Sequence, residues 1–326
     1  MTRRAALATL AACLAPLPAL ARELRFTHAY GETVLSRPAT RVVSLGYNTH
    51  DTLLALGLPP IAVRAWYGNF PFSVWPWAQS HLKGAEPVVL SGEVSMEVVA
   101  SLEPDLIIGI SSGISEAEYR VLSRIAPVLM HDPSHTVYGT PWDEMTRTFG
   151  RALGRSELVE ELIARARQRF AEARRRHPAW ARQTAVAAYH WGGKTGAFIG
   201  EDTRAVFLAE LGFRPTKKVM QLRGAQQFYG DLSPEDLSPL DADVLVWISA
   251  FEMVPDLVSL PMRHTLKAHR EGREVFAGPL IAGAMSFGSI LSLPFALAEL
   301  EADIAAAADG SPETAVASAV KARLAP

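Results

Sequence analysis

The sequence predicts an α/β protein of two lobes, each built on a mainly parallel sheet, joined by one long helix. Short apolar, strand-like runs alternate with helix-like segments on both sides of the chain's midpoint. The runs are nearly continuous Val, Leu and Ile, the pattern of parallel strands covered on both faces. Between the two sets lies the longest helical signal, Pro141 to Arg176.

In the first set, Arg41 to Leu45 reads as a strand, and Gly46-Tyr47-Asn48-Thr49 turns into a helix over Asp51 to Leu56. Ile61 to Trp66 is the next strand, followed by an aromatic loop from Tyr67 to Trp77. Ser95 caps a helix over Met96 to Leu102, and Asp105 to Ile110 is a strand. Ser115 opens a helix over Glu116 to Ile125, and Pro127 to His131 closes the set as a strand.

The central segment starts at Pro141, with Asp143 and Glu144 at its positive end. Gly154 interrupts it and Ser156 reads as a fresh N-cap. Leu158, Leu162, Ile163, Ala166 and Phe170 then recur at helical spacing, Arg174 to Arg176 suit the negative end, and Pro178 stops the helix. Some twenty helical residues reach roughly 30 Å, the width of a small domain.

The pattern then restarts. Thr184 to His190 is a strand ending in Trp191-Gly192-Gly193, Ala197 to Ile199 a short strand, and Thr203 to Leu211 a helix. Residues 217–230 read as a polar loop, and Ser233-Pro234-Glu235-Asp236 as the opening of a short helix. Asp243 to Ile248 is a strand, Leu260 to His269 a helix and Glu274 to Ala277 a short strand. Ser286 is expected to begin a last helix running to about Ala308, with a fraying Ala- and Ser-rich tail.

The chain has 326 residues, 49% hydrophobic and 20% charged, with a formal net charge of −2. That balance argues against a general nucleic-acid binder, which would be basic. Met1 to Arg4 is a positive n-region, Ala5 to Ala15 is small and apolar, and Ala19-Leu20-Ala21 is an A-x-A cleavage signal. Residues 1–21 therefore read as a signal peptide cut before Arg22, leaving a mature charge of about −4. Thr2-Arg3-Arg4 resembles a twin-arginine export signal, and Leu10-Ala11-Ala12-Cys13 a lipobox. Cys13 is the single cysteine, so cleavage at Ala21 leaves no thiol or disulfide chemistry. The expected division is a lobe over 22–140, a linking helical segment over 141–177 and a second lobe over 178–326.

In open α/β sheets, ligands bind beyond the carboxyl ends of the strands. That rule selects Tyr47-Asn48, Trp66-Tyr67-Gly68 with the aromatic loop, and Ser111-Ser112 in the first lobe. In the second it selects Trp191-Gly192-Gly193, Arg223 to Tyr229, Ser249-Ala250-Phe251 and Met285-Ser286. Aromatic side chains with a few polar groups suit a cleft for a large organic ligand. Trp247, in mid-strand, reads as core, whereas Trp66, Trp75, Trp77 and Trp191 fit either core or cleft. No G-x-S-x-G, H-E-x-x-H, Walker or G-x-G-x-x-G motif is present. His131 and His135 are four apart, but Pro133 breaks the helix that would align them as metal ligands.

Arg41-Val42-Val43-Ser44-Leu45, Leu102-Glu103-Pro104-Asp105-Leu106-Ile107-Ile108 and Leu237 to Val246 resemble the substrate-binding proteins of iron–siderophore and cobalamin ABC importers. So do Tyr138-Gly139-Thr140-Pro141-Trp142-Asp143-Glu144 and Gly150-Arg151-Ala152-Leu153-Gly154-Arg155, with the ferric-siderophore branch the nearer. The resemblance implies two Rossmann-like lobes joined by one long helix, with a small hinge motion. It implies an exported, non-catalytic, monomeric periplasmic protein without a cofactor or metal site of its own, whose ligand is a ferric siderophore and whose partner is an ABC permease. Cobalamin or haem binding by the same fold is the alternative.

Permease docking through one glutamate per lobe maps onto Glu97 in Ser95-Met96-Glu97 and Glu235 in Ser233-Pro234-Glu235-Asp236. The expected ligand contacts are Arg223 as charge partner, with Tyr47, Trp66, Tyr67, Trp191, Tyr229, Phe251 and Ser286. Arg64, inside a predicted strand, is the lesser candidate.

Overall fold

The computed structural model describes residues 23–222, 228–248 and 254–324. The signal segment with Cys13, and the expected contacts Arg223 and Phe251, lie outside the described residues. Strands β1 (Leu24–His28) and β2 (Gly31–Leu35) form an antiparallel hairpin that buries Phe26 and Leu35.

The first lobe alternates strand and helix: β3 (Val42–Ser44), α1 (Thr49–Ala55), β4 (Ala62–Arg64), α2 (Pro76–Gln79), β5 (Val88–Leu90), α3 (Met96–Ser101), β6 (Leu106–Ile108), α4 (Glu116–Leu122) and β7 (Val128–Leu129). Its five strands are all parallel, in the order β5-β4-β3-β6-β7. The two-residue period divides the apolar runs between its faces. Val42, Leu106 and Ile108 join the main core, while Val43, Leu45 and Ile107 pack into a second cluster under α3 and α4. Ser95 caps α3 and Ser115 forms a capping box with Glu118, as their positions predict.

The central segment is two helices, α5 (Trp142–Ala152) and α6 (Ser156–Arg176), separated at Gly154, whose φ is +65°. Arg155 occupies the N-cap position expected of Ser156. Val159, Ile163, Ala166, Phe170 and Ala173 form the buried stripe of α6, and Leu158 stays exposed. Ile163, Ala166 and Phe170 are the expected stripe residues; Val159 takes the place of Leu158 at its start, and Leu162 is half-buried. Phe170 meets Phe207 edge to face at 5.6 Å.

The second lobe contains β8 (Ala185–Trp191), β9 (Lys194–Phe198), α7 (Thr203–Glu210), α8 (Lys217–Gln221), β10 (Tyr229–Leu232), β11 (Val244–Ile248), α9 (Val254–Ser259), α10 (Lys267–Arg270), β12 (Glu274–Ala277), α11 (Pro279–Phe287), α12 (Ser292–Ala308) and α13 (Ala317–Ala322). Its sheet runs β10-β9-β8-β11-β12, with β8, β11 and β12 parallel and β9 and β10 antiparallel at one side. The molecule is thus two α/β lobes, each with a mainly parallel sheet, linked by a long helix.

Five expectations fail in this lobe. Residues 217–230 are not one loop: Thr216 caps α8 by accepting from the Val219 amide, and β10 adds to the sheet edge, where a polar strand is stable. Ser233 to Asp236 forms a turn rather than a helix, with the Asp236 amide donating to the Ser233 carbonyl at 3.1 Å. Leu260 to His269 breaks at Leu266, whose backbone is extended, into a 3-10 turn over Pro261–Thr265 and α10. Ser286 does not begin a helix: it lies in the last turn of α11, which Gly288 ends in the left-handed conformation, and α12 starts at Ser292. The tail is also ordered as α13, where Leu324 is buried and its carbonyl accepts from Arg263 at 2.6 Å.

Candidate functional site

The turns after the first-lobe strands and the last turn of α11 face one another across the lobe junction. After β3, Gly46 makes a tight turn, since a Cβ there would meet the Ile110 carbonyl at 2.1 Å. That turn presents Tyr47. After β4 come Trp66 and Tyr67, with Trp66 5.5 Å from Tyr47 and 4.6 Å from Tyr67, ring centroid to centroid. Trp66 also lies 5.2 Å from Phe287 at the end of α11, so its ring touches both lobes. It remains 42% exposed, which leaves a face for a ligand.

Tyr67 hydrogen-bonds Ser286, and burial raises its pKa against the opposing effects of that bond and of Arg204. Ser286 Oγ donates to the Ala282 carbonyl at 2.7 Å and accepts from Arg204 Nη1 at 3.0 Å. Arg204 lies 3.8 Å above the Phe198 ring and is paired with Asp202 at 2.7 Å. Phe198 lies 5.2 Å from Tyr189, which is 6.0 Å from Tyr229. The structure therefore joins Tyr47, Trp66, Tyr67, Ser286 and Tyr229 in one band running through Phe287, Arg204, Phe198 and Tyr189. Trp191 ends β8, at the turn into β9, and is 61% exposed.

Arg64 is the last residue of β4, not an interior one, because the strand stops two residues short of the predicted run. Its guanidinium sits 4.8 Å over the Tyr47 ring and donates to the Ser112 carbonyl at 2.7 Å. It forms no ion pair among the described residues, although its charge, after the Ser115 hydrogen bonds, helps lower the pKa of Glu118. Tyr138 belongs to the same neighbourhood: burial raises its pKa, Tyr47 adds to the rise and Arg64 opposes it.

Sequence reasoning missed Arg204, Phe198, Tyr189 and Phe287. The only signal for Arg204 was its place in the first turn of a helix beyond a strand end, and Phe287 was hidden by the misplaced start of the last helix. The aromatic loop divides in function: Trp75 is buried, while Trp77 stacks on it at 5.0 Å and donates to Asp51 at 2.7 Å. Trp247 is core, its indole nitrogen donating to Glu274 at 2.7 Å.

Glu97 is exposed in the first turn of α3, and Glu235 is exposed in the turn before the Ser238–Leu240 3-10 helix. Among the described residues, no group of three or more His, Cys, Asp and Glu side chains could hold a metal ion, and no helix is long and apolar enough to cross a membrane.

The chain is similar to several known binding proteins. The probable siderophore-binding lipoprotein YfiY of Bacillus subtilis is 28% identical over 216 residues, 64% of this chain and 63% of that protein. The Fe(3+) dicitrate-binding periplasmic protein FecB of Escherichia coli is 28% identical over 157 residues, 46% of this chain and 51% of that protein. The matches thus span about half to just under two thirds of those relatives. The crystal structure of a periplasmic solute binding protein from Mycobacterium smegmatis is similar with a TM-score of 0.77 and 32% identity, over 87% of this chain and 98% of that one. Residues 42–278 match the periplasmic binding protein family, and the chain belongs to that family of non-catalytic solute-binding proteins.

Proposed function

We propose that the protein captures a ferric siderophore between its lobes and delivers it to an ABC permease. The observation that carries this reading is the band of aromatic rings across the junction with the Arg64 guanidinium, which forms no ion pair among the described residues, at one end. Rings stack on a large organic chelate, and a guanidinium donates parallel hydrogen bonds to a carboxylate or an anionic chelate oxygen. Arg64 takes the role of charge partner at its end of the band, and Tyr47, Trp66, Tyr67, Trp191, Tyr229 and Ser286 are the other proposed ligand contacts. The names of YfiY and FecB support iron chelates as the ligand class.

Export by residues 1–21 with cleavage before Arg22, a twin-arginine signal being one route and lipid on Cys13 the alternative to that cleavage, and lobes bounded at 22–140 and 178–326 about a 141–177 linker, complete the reading. Glu97 and Glu235 are the docking groups, one on each lobe.

The test is a tryptophan-fluorescence titration with ferric dicitrate, ferrioxamine B and ferric enterobactin, alongside haem, cobalamin and free ferric ion. Saturable quenching by a ferric chelate supports the reading and names the chelate class. Binding of haem or cobalamin alone replaces it. Glu97→Ala combined with Glu235→Ala should keep ligand affinity and abolish uptake in cells; lost affinity in the purified double variant removes the docking assignment.

A further inference from the structure

The lobes touch at a second place besides α6, and that contact is polar and directional. Asn48 Nδ2, at the start of α1, donates to the carbonyl of Phe287, the last residue of α11, at 2.7 Å. Asp51 Oδ2, one turn on, accepts from Ser289 Oγ at 2.6 Å and from Trp77 Nε1 at 2.7 Å. These bonds from α1 to the α11 turn link residues 239 and 238 apart in sequence. Between their two attachment points lies Gly288, in the left-handed conformation that ends α11. Aromatic packing encloses the contact: Trp77 lies 5.3 Å from Phe287 and 5.7 Å from Phe295, and a Cβ on Gly283 would meet the Trp75 ring at 2.4 Å.

We infer that Asn48 and Asp51 are positioning residues, a latch by which the first lobe holds the last turn of α11 and so sets where Ser286 and Phe287 stand in the cleft. The functional half of this inference rests on the cleft proposed above; the mechanical half does not. Three observations favour it. Asp51 and Ser289 are buried, at 0% and 4% exposure, so water does not compete for their bond. The held turn carries the two second-lobe groups, Ser286 and Phe287, that meet Tyr67 and Trp66.

The third concerns polarity. Asn48 Oδ1, Asp51 Oδ1 and both His50 ring nitrogens are buried without a hydrogen-bond partner among the described residues. An apolar first turn would pack there without those losses, so the polar side chains are retained for the bonds they direct across the junction. Rotation of the lobes about α6 must break both bonds or carry α11 with the first lobe. The latch therefore limits opening and fixes the facing distance of Tyr67 and Ser286 before a ligand arrives.

The test uses the full chain with Cys13→Ser, spin-labelled through Glu86→Cys and Lys267→Cys, which are exposed and lie on different lobes. A narrow interlobe distance distribution is expected, little changed by ferric dicitrate, ferrioxamine B or ferric enterobactin. Ser289→Ala, which removes the Asp51 bond and also the acceptor of the Leu291 and Ser292 amides at the start of α12, should broaden it. Asp51→Asn, which retains an acceptor for Ser289 and Trp77, should restore the narrow form that Asp51→Leu loses. Ser289→Ala should also weaken, by about tenfold, whichever of those chelates the parent chain binds. Identical narrow distributions in the parent chain and Ser289→Ala would overturn the latch, as would a broad one in the parent. If no chelate binds the parent chain, the siderophore reading falls while the distance measurement still decides the latch.

Discussion

The two lobes treat their inward charges in opposite ways. In the second lobe, buried charges are paired. Glu274, 2% exposed, takes two bonds from Arg263, at 2.9 and 2.7 Å, and contacts His269 and Trp247. Burial pushes its pKa up, but the hydrogen bonds of His269 and Arg263, the charge of Arg263 and the Trp247 bond outweigh that and hold it below its ordinary value. Arg204 is likewise tied to Asp202.

In the first lobe, Asp51 has only neutral donors, and burial raises its pKa to about 7 against the bonds of Ser289 and Trp77. Its neighbour His50, 3.7 Å away, is pushed down by burial to about 3. Arg64 forms no ion pair among the described residues, its charge reaching Glu118 only as one of the effects that lower that carboxylate's pKa. One lobe spends its charges on its own stability; the other leaves them at the junction and the cleft, where another lobe or a ligand can use them.

The largest effect that would sharpen this contrast concerns pH. Asp51, with its folded pKa above the unfolded 3.8, contributes stability below about pH 4 and loses it as pH rises through about 7. His50, with its folded pKa below 6.5, contributes stability above about 6.5 and loses it as pH falls through about 3. Between about pH 4 and 6.5 the slopes cancel, because folding in effect moves one proton from His50 to Asp51. Trp77 and Ser289 are the groups facing Asp51 from other elements, and neither titrates in this range. His50→Leu should uncover a stability that falls by about 4 kcal/mol from pH 4 to 7, and Asp51→Asn one that falls by a similar amount from pH 6.5 to 3. Urea unfolding across that range checks both, and a flat profile in either variant would remove the paired-proton account.

Arg263→Met tests the opposite arrangement. It leaves Glu274 in the core with only His269 and Trp247 as partners and should cost about 3 kcal/mol in urea unfolding at pH 7. The loss should shrink below about pH 4.5, where a protonated Glu274 no longer needs its cation, since a depressed carboxylate contributes only above its unfolded pKa. An equal loss at pH 7 and pH 4 would mean that packing, not charge, holds this site.

The smallest effect probes the Arg64 cation. Arg64→Gln should leave stability almost unchanged and weaken an anionic ferric chelate by about 2 kcal/mol, some thirtyfold, with a smaller change for an uncharged chelate. Equal losses for both would place Arg64 in packing and return the charge role to another residue.

Much of the fold was legible because its cause is local. The apolar runs at 41–45, 105–110 and 243–248 are strands since no amphipathic period competes with them, and Ser95 and Ser115 cap helices through their own side chains. The site was legible only in part. Strand ends led to Tyr47, Trp66 and Tyr67, but the rule overlooks a helix end such as Phe287 and a first-turn residue such as Arg204. Ser286 was selected for the wrong structural reason, and Leu158 was preferred to Val159 because each continues a helical spacing, from Leu162 or from Ile163, and spacing alone does not choose between them.

By itself, then, the sequence determined the alternation of strands and helices and the linking helix, which follow from short-range periodicity and local capping, and it carried the family resemblance in specific motifs such as Leu102 to Ile108. Only the tertiary structure decided which charges are paired. Asp51 meets Ser289, Asn48 meets Phe287, and Arg263 meets Glu274 because separate elements pack. Whether a buried charge is stabilised or left waiting depends on partners brought from elsewhere in the chain, and that is a property of packing rather than of composition.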